Sequence, residues 1–234
     1  MTDGRAFFLS AAPADGRAIL GGDEARHLAR VLRARVGDTV TLFDGHGRQW
    51  AARVTAIGRD EVALEADAAR IDPEPPGTLL TLAVALPKGD RQKWMVEKLT
   101  ALGVHALGPL ETTRGVAEAP AAARARLDRS VIEACKQCGR NTLLTINPPR
   151  SLAAVLADAP ARTRILVAHP GGPPALQPLV PPADAVLALV GPEGGFTAEE
   201  LSAADAAGAE RIGLGPHVLR VETAAVALAA RFAV

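Results

Sequence analysis

Hydrophobic and polar positions recur with different periods along this chain, and the change falls near residue 72. The segment DEARHLARVLR, Asp23 to Arg33, has helical spacing, with Asp23 placed to cap it. Arg26, Arg30 and Arg33 stand at i, i+4 and i+7 on one face, while Leu28, Val31 and Leu32 point elsewhere. Three short alternating runs follow, TVTLF (39–43), WAARVTAI (50–57) and EVALEA (61–66), parted by turn signals at Asp44-Gly45-His46-Gly47 and Gly58-Arg59-Asp60. Short strands at this spacing predict a small β-barrel or sandwich. DPEPPG at 72–77 reads as a stiff, extended linker, which sets the expected domains at 1–72 and 73–234.

Beyond Leu79 strand-like and helix-like segments alternate, predicting an α/β domain on a largely parallel sheet. TLLTLAVAL (78–86), RILVAHP (164–170) and AVLALVGP (185–192) are buried-strand candidates. DRQKWMVEKLTALG (90–103) is a helix with Met95, Leu99 and Leu102 on one face and Gly103 at its C′ position. RARLDRSVIEACKQCGR (124–140) is another, with Leu127, Val131, Cys135 and Cys138 inward and Arg129, Glu133, Lys136 and Arg140 opposite. The Pro- and Gly-laden piece 170–182 is read as a loop inside the domain, because the alternation resumes after it.

Charge narrows the partners only a little. The 26 basic and 26 acidic residues of the 234 cancel, so a nucleic-acid surface has to be a local patch. Four of the basic residues are lysine and 22 are arginine. The arginine fork suits phosphate, although a GC-rich genome explains most of that excess. The apolar stretch Ala6 to Leu9 is far shorter than a signal sequence, and no apolar run approaches the roughly 20 residues of a membrane span, so a cytoplasmic protein is expected. Cys135 and Cys138 lack the second ligand pair of a zinc site, and His27, His46, His105, His169 and His217 have no metal-binding spacing, so no metal is expected.

The strongest local motif is AVLALV-GPEGG-FTAEEL, a buried strand running through glycines into a helix that Thr197 and Glu200 begin with a capping box. Glycines there let a ligand lie against the backbone, at the strand end where open α/β sheets bind ligands. Taken alone, the motif equally fits a tight strand-to-helix turn. It is neither a phosphate loop nor a dinucleotide fingerprint. A second glycine-bearing loop, Leu214-Gly215-Pro216, leads into the last helix, and the pair Arg220 and Glu222 at that junction reads by itself as a structural ion pair.

Taken together, LPKGDRQKWMVEKLTALGV, EACKQCGRN, LVGPEGGFTAEE and LGPHVLRVETAAV resemble, in order, the signature blocks of the RsmE family. Those enzymes are bacterial methyltransferases of the knotted SPOUT superfamily that methylate N3 of a uridine in small-subunit (16S) rRNA. HLARVLRARVGDTVTLFDGHG likewise resembles the family's PUA-like RNA-binding domain. GPLETTRGV and TLLTINPP depart from the family's usual wording at those places. The resemblance implies a small PUA-like β-barrel domain followed by a C-terminal SPOUT domain with a trefoil-knotted parallel sheet. It also implies a homodimer, S-adenosylmethionine as cofactor, and 16S rRNA or the small ribosomal subunit as partner.

On that resemblance the cofactor rests against Leu166, His169, Pro170, Val190, Gly191, Pro192, Glu193, Gly194, Leu214, Gly215, Val218, Leu219, Arg220, Thr223 and Ala224. Arginine cannot be a base, but Arg220 can stabilise charge developing on uracil, with Arg140 as second choice for that role. Glu222 is either the base or an orienter of Arg220, and Glu193 either offsets the sulfonium charge or fixes its loop. Arg26, Arg30, Arg33, Lys88 and Arg91 are the expected RNA contacts. The competing readings are a SPOUT methyltransferase acting on a tRNA ribose 2′-hydroxyl and a non-catalytic RNA-binding assembly factor.

Overall fold

A computed structural model describes residues 6–71, 79–115, 121–174 and 185–233. The linker motif at 72–77 lies outside the described residues, as does the part of the 170–182 loop beyond residue 174. The chain forms two compact units, Met1–Pro75 with Ile132–Leu143, and Pro76–Val131 with Leu144–Val234.

The first unit is built on β1 (Ala6–Phe8), β2 (Arg17–Gly21), β3 (Thr39–Phe43), β4 (Arg48–Ile57), β5 (Glu61–Ala66) and β6 (Arg70–Ile71). These form one sheet in the order β1-β3-β4-β5-β2, with β6 on β4. Only β1 on β3 is parallel. The period of two sends Val40, Leu42, Trp50, Ala52, Val54, Val62 and Leu64 inward, where Phe7, Leu20 and Leu28 complete the core. Between β2 and β3 the expected eleven-residue helix is shorter and irregular. A single α-turn, α1 (Gly22–Arg26), is followed by a wider π turn over His27–Val31. Gly21, not Asp23, caps it, and Asp23 instead pairs with Arg26. The Leu32 N–H reaches back five residues to the His27 carbonyl at 3.0 Å, which lets Ala29 and Leu32 pack on the core. Arg33 then turns left-handed at φ +52, so the helical register that would align it with Arg26 and Arg30 is not kept.

The second unit contains β7 (Leu79–Val84), α2 (Asp90–Ala101), β8 (Ala106–Glu111) and the first part of α3 (Ala121–Cys138). Then come β9 (Thr145–Ile146), β10 (Arg150–Ser151), α4 (Leu152–Ala157), β11 (Thr163–Ala168), β12 (Ala185–Val190), α5 (Ala198–Ala206), β13 (Glu210–Ile212) and α6 (Val221–Phe232). The strands pair in parallel in the order β10-β8-β7-β12-β11-β13, with β9 beside β8. A central parallel strand is covered on both faces, and β12 is accordingly buried from Val186 to Val190. Leu187 and Leu189 face α4 and α5 through Leu152 and Ala204, whereas α6 packs on β7, β12 and α2. This layering turns the carboxyl ends of β7, β11, β12 and β13 into one edge of the unit, where loops can converge. Among the described residues no helix is long and apolar enough to cross a membrane.

The end of α3 and the five residues after it belong with the first unit, which the apolar spacing does not reveal. Leu127, Val131 and Cys135 are buried as their spacing predicts, but Cys138 is exposed because the helix ends there. Lys136, expected on the solvent side, keeps only 8% of its side chain exposed. Its Nζ lies 2.9 Å from Glu24 Oε1 and 3.1 Å from Glu133 Oε1, and 5.6 Å over the Phe7 ring. Burial pushes the Cys135 thiol up to about 12, which leaves it unreactive. Beyond the helix, Asn141 Nδ2 donates to the Gly47 carbonyl at 3.1 Å and the Leu143 N–H donates to the Gly45 carbonyl at 2.9 Å. The DGHG turn is thereby clasped, and Asp44 organises it from inside by accepting from His46 N and Arg48 Nε. Burial pushes the Asp44 carboxyl up, but those hydrogen bonds prevail and hold it below its usual value.

Lys136→Ala leaves Glu24, whose Oε2 has no hydrogen-bond partner, without its cation. We expect it to destabilise the first unit by about 1–3 kcal/mol in denaturant unfolding followed by Trp50 fluorescence. The exposed control Lys93→Ala should stay within about 0.5 kcal/mol.

Candidate functional site

Three loops meet at the carboxyl edge of the second sheet. The first follows β11 through His169 and Pro170, the second follows β12 through Gly191–Gly195, and the third follows β13 through Leu214 and Gly215 to Arg220. The first and third are stitched backbone to backbone: His169 N–H donates to the Ile212 carbonyl at 2.9 Å and Gly213 N–H to the Pro173 carbonyl at 2.8 Å. Only glycine permits that approach, since a Cβ on Gly213 would lie 2.5 Å from the Gly172 carbonyl oxygen.

The second loop is held at both ends. Its first residue, Gly191, rests on the Phe196 ring, which a Cβ there would meet at 3.0 Å. Its last part is the N-terminus of α5, where Thr197 and Glu200 form the capping box expected from the sequence. The Glu200 carboxylate does more than cap. Its Oε2 accepts from Thr197 N at 2.8 Å, and its Oε1 accepts from Thr113 N at 2.8 Å and Thr113 Oγ1 at 3.1 Å. The loop after β8 is thus tied to the loop after β12. Arg114 adds a second tie by donating to the Gly194 carbonyl at 2.8 Å. Burial pushes the Glu200 carboxyl up, but the bonds from Thr113 and Thr197, with the charge of Arg114, hold it below its usual 4.5.

Between these loops lies a cavity of about 420 Å³, within the usual range for small-molecule sites. Of the expected cofactor residues, His169, Pro170, Val190, Gly191, Pro192, Glu193, Gly194, Leu214, Gly215, Val218, Leu219 and Ala224 line it. Leu166, Arg220 and Thr223 do not: Leu166 is buried in β11, and Arg220 and Thr223 are exposed, just before α6 and on it. Val218 is 80% exposed, an apolar side chain facing water beside a groove. His217, within the LGPHVLR segment, also lines the cavity, as do Phe196 and Val221, which were not anticipated. An aromatic directly after a glycine pair was the available signal for Phe196. Among the described residues no group of three or more His, Cys, Asp or Glu could hold a metal.

The candidate reacting groups are arranged unevenly. Arg220 is exposed directly before α6 and makes no ion pair or hydrogen bond through its side chain among the described residues. Glu222 is buried two residues later, and its ion pair is with Arg91 rather than Arg220. Arg140 belongs to the first unit with Arg26, Arg30 and Arg33, while Arg220, Glu222, Lys88 and Arg91 belong to the second. Lys88 is exposed in the loop before α2. Arg91 is turned instead onto two carboxylates, Glu193 at 3.4 Å and Glu222 at 3.6 Å.

Glu200→Gln replaces one saturated acceptor oxygen with a donor facing an N–H, so it should cost about 1–2 kcal/mol. Because the folded carboxyl titrates below its usual 4.5, the stabilisation is complete above that pH and is lost as pH falls through the lowered value. Thermal melts of the two proteins should therefore differ at pH 7 and converge toward acid; a constant gap would contradict the assignment.

Residues 73–233 match the RNA methyltransferase domain family, and residues 20–67 match the RNA methyltransferase PUA domain family. The ribosomal RNA small subunit methyltransferase E of Mycobacterium bovis is 32% identical, over 96% of this chain and 89% of its own length. The protein of that name from Bacillus subtilis is 29% identical, over 87% of this chain and 84% of its length. The crystal structure of a ribosomal RNA small subunit methyltransferase E from Neisseria gonorrhoeae bound to S-adenosylmethionine superposes with a TM-score of 0.86 at 33% identity, covering 97% of this chain and 95% of that one.

Proposed function

The chain belongs to the RNA methyltransferase family, and from that premise we propose that it transfers the methyl group of S-adenosylmethionine to N3 of a uridine in 16S rRNA. The observation that carries the cofactor half is the cavity itself: glycine backbone on one wall, exposed Val218 with Leu214 and Leu219 on another, and Glu193 at its margin. Such a groove fits an adenosine, flat and apolar with polar edges, and a carboxylate near it suits a cationic ligand. When bound, S-adenosylmethionine supplies an electrophilic methyl group on a sulfonium.

The protein's part is to hold the acceptor in line and manage one proton. Uridine N3 forms a bond to the methyl carbon as the sulfur–methyl bond breaks, and the N3 proton leaves to a base. Arg220 has no side-chain partner among the described residues, and the donors of its guanidinium fork suit the uracil carbonyl oxygens as negative charge develops. Glu222 is the acceptor proposed for the proton, since its Oε2 is buried without a hydrogen bond. A base that is normally stacked has to be extruded to reach such a site. Phosphate contacts would come from the exposed Arg30 and Arg33 in the first unit and Lys88 in the second. The same reading carries a trefoil knot in the second unit, a homodimer, the domains 1–72 and 73–234, and a cytoplasmic site of action.

Mass spectrometry of rRNA from a deletion strain tests the substrate: N3-methyluridine should vanish from one position of the small subunit, and its persistence would reject the assignment. In the purified enzyme Arg220→Ala should lower turnover at least about tenfold while calorimetry shows cofactor affinity nearly unchanged. Arg30→Ala should weaken RNA binding and reduce the slope of log affinity against log salt by about one; an unchanged slope would make Arg30 a solvated surface residue.

A further inference from the structure

We infer that Arg91 is a positioning residue of the transfer site, bridging Glu193 of the glycine loop and Glu222 of α6. This rests on the reading of Glu222 as the proton acceptor. Arg91 is the second residue of α2, and α2 packs along α6. One guanidinium nitrogen, Nη1, lies 3.4 Å from Glu193 Oε1 and 3.6 Å from Glu222 Oε2.

The three groups differ in setting. Glu193 is exposed at the cavity margin, whereas Glu222 is only 6% exposed and its Oε2 has no hydrogen-bond partner. A buried carboxylate with an unbonded oxygen is held in place by its charge partner, and among the described residues Arg91 is the one cation paired with it. Val221 and Ala224, on either side of Glu222 in α6, line the cavity. The glycine loop and the start of α6 therefore share a single cation as a common anchor. In formal charge the trio is net negative, the sign that suits a cationic cofactor beside it. Arg91 acts through the two carboxylates, which also withdraws it from the phosphate contacts expected for the KGDR segment.

A double-mutant cycle on the full-length enzyme tests this. Arg91→Ala should lower kcat about tenfold or more with KM for RNA unchanged, Arg91→Lys should recover part of the loss, and Arg91→Ala added to Glu222→Gln should cost less than about threefold more. Multiplicative losses in the double variant would overturn the inference. So would a raised KM for RNA with a salt slope reduced by about one, which would make Arg91 a phosphate contact. A fall in melting temperature with no recovery by lysine would mark a purely structural role and equally overturn it. Arg91→Gln carries the same cycle if the alanine variant does not fold. The cycle reads methyl transfer to whichever atom accepts it, so failure of the N3 assignment leaves it interpretable, and its failure leaves N3 untouched.

Discussion

The candidate site depends on one carboxylate with no spare oxygen. Glu200 caps α5 with Oε2 and holds the Thr113 loop with Oε1, so the loops after β8 and β12 cannot separate without leaving N–H groups unbonded. Within the glycine loop, Gly191 rests on the Phe196 ring and Gly194 lies against the Arg114 side chain. The opposite wall is held differently, by main-chain bonds through Gly172 and Gly213 that leave no room for a Cβ. A cavity with one wall fixed by a charged cap and the other by glycine contact is formed before any ligand arrives, so little ordering is left to oppose binding.

Much of this was legible in the sequence where structure is local. The capping box at Thr197, the buried strand β12 and the glycine-bearing loops are written in adjacent residues. What could not be read depends on distant partners. Strands such as β10 and β13, of two and three residues, exist because β8 and β11 are there to pair with them. The tie from Thr113 to Glu200 spans 87 positions, and no local pattern points to it. The helix predicted from Asp23 failed for a related reason: packing of Ala29 and Leu32 on the first core widens the turn that propensity would keep regular.

The motif around Arg140 changes meaning most. As a sequence, CKQCGRN reads as two inward cysteines, an outward lysine and a second-choice arginine for chemistry. In the structure Lys136 is a buried anchor against Glu24 and Phe7, and Asn141 and Leu143 clasp the DGHG turn. Two signature blocks far apart in the chain thus complete one structural unit. Arg91 moves in the opposite sense, from expected surface contact to the neighbourhood of the cavity, because two carboxylates lie within its reach.

We propose that the cofactor site is already built between the loops at 168–170, 191–195 and 214–219. A crystal structure with S-adenosylmethionine bound is the most direct test. It should place the adenosine between those loops, beside Val218, with both oxygens of Glu200 still bonded to Thr113 and Thr197. Cofactor bound elsewhere, or a glycine loop that has broken from Thr113 to receive it, would show that the site is not preformed there.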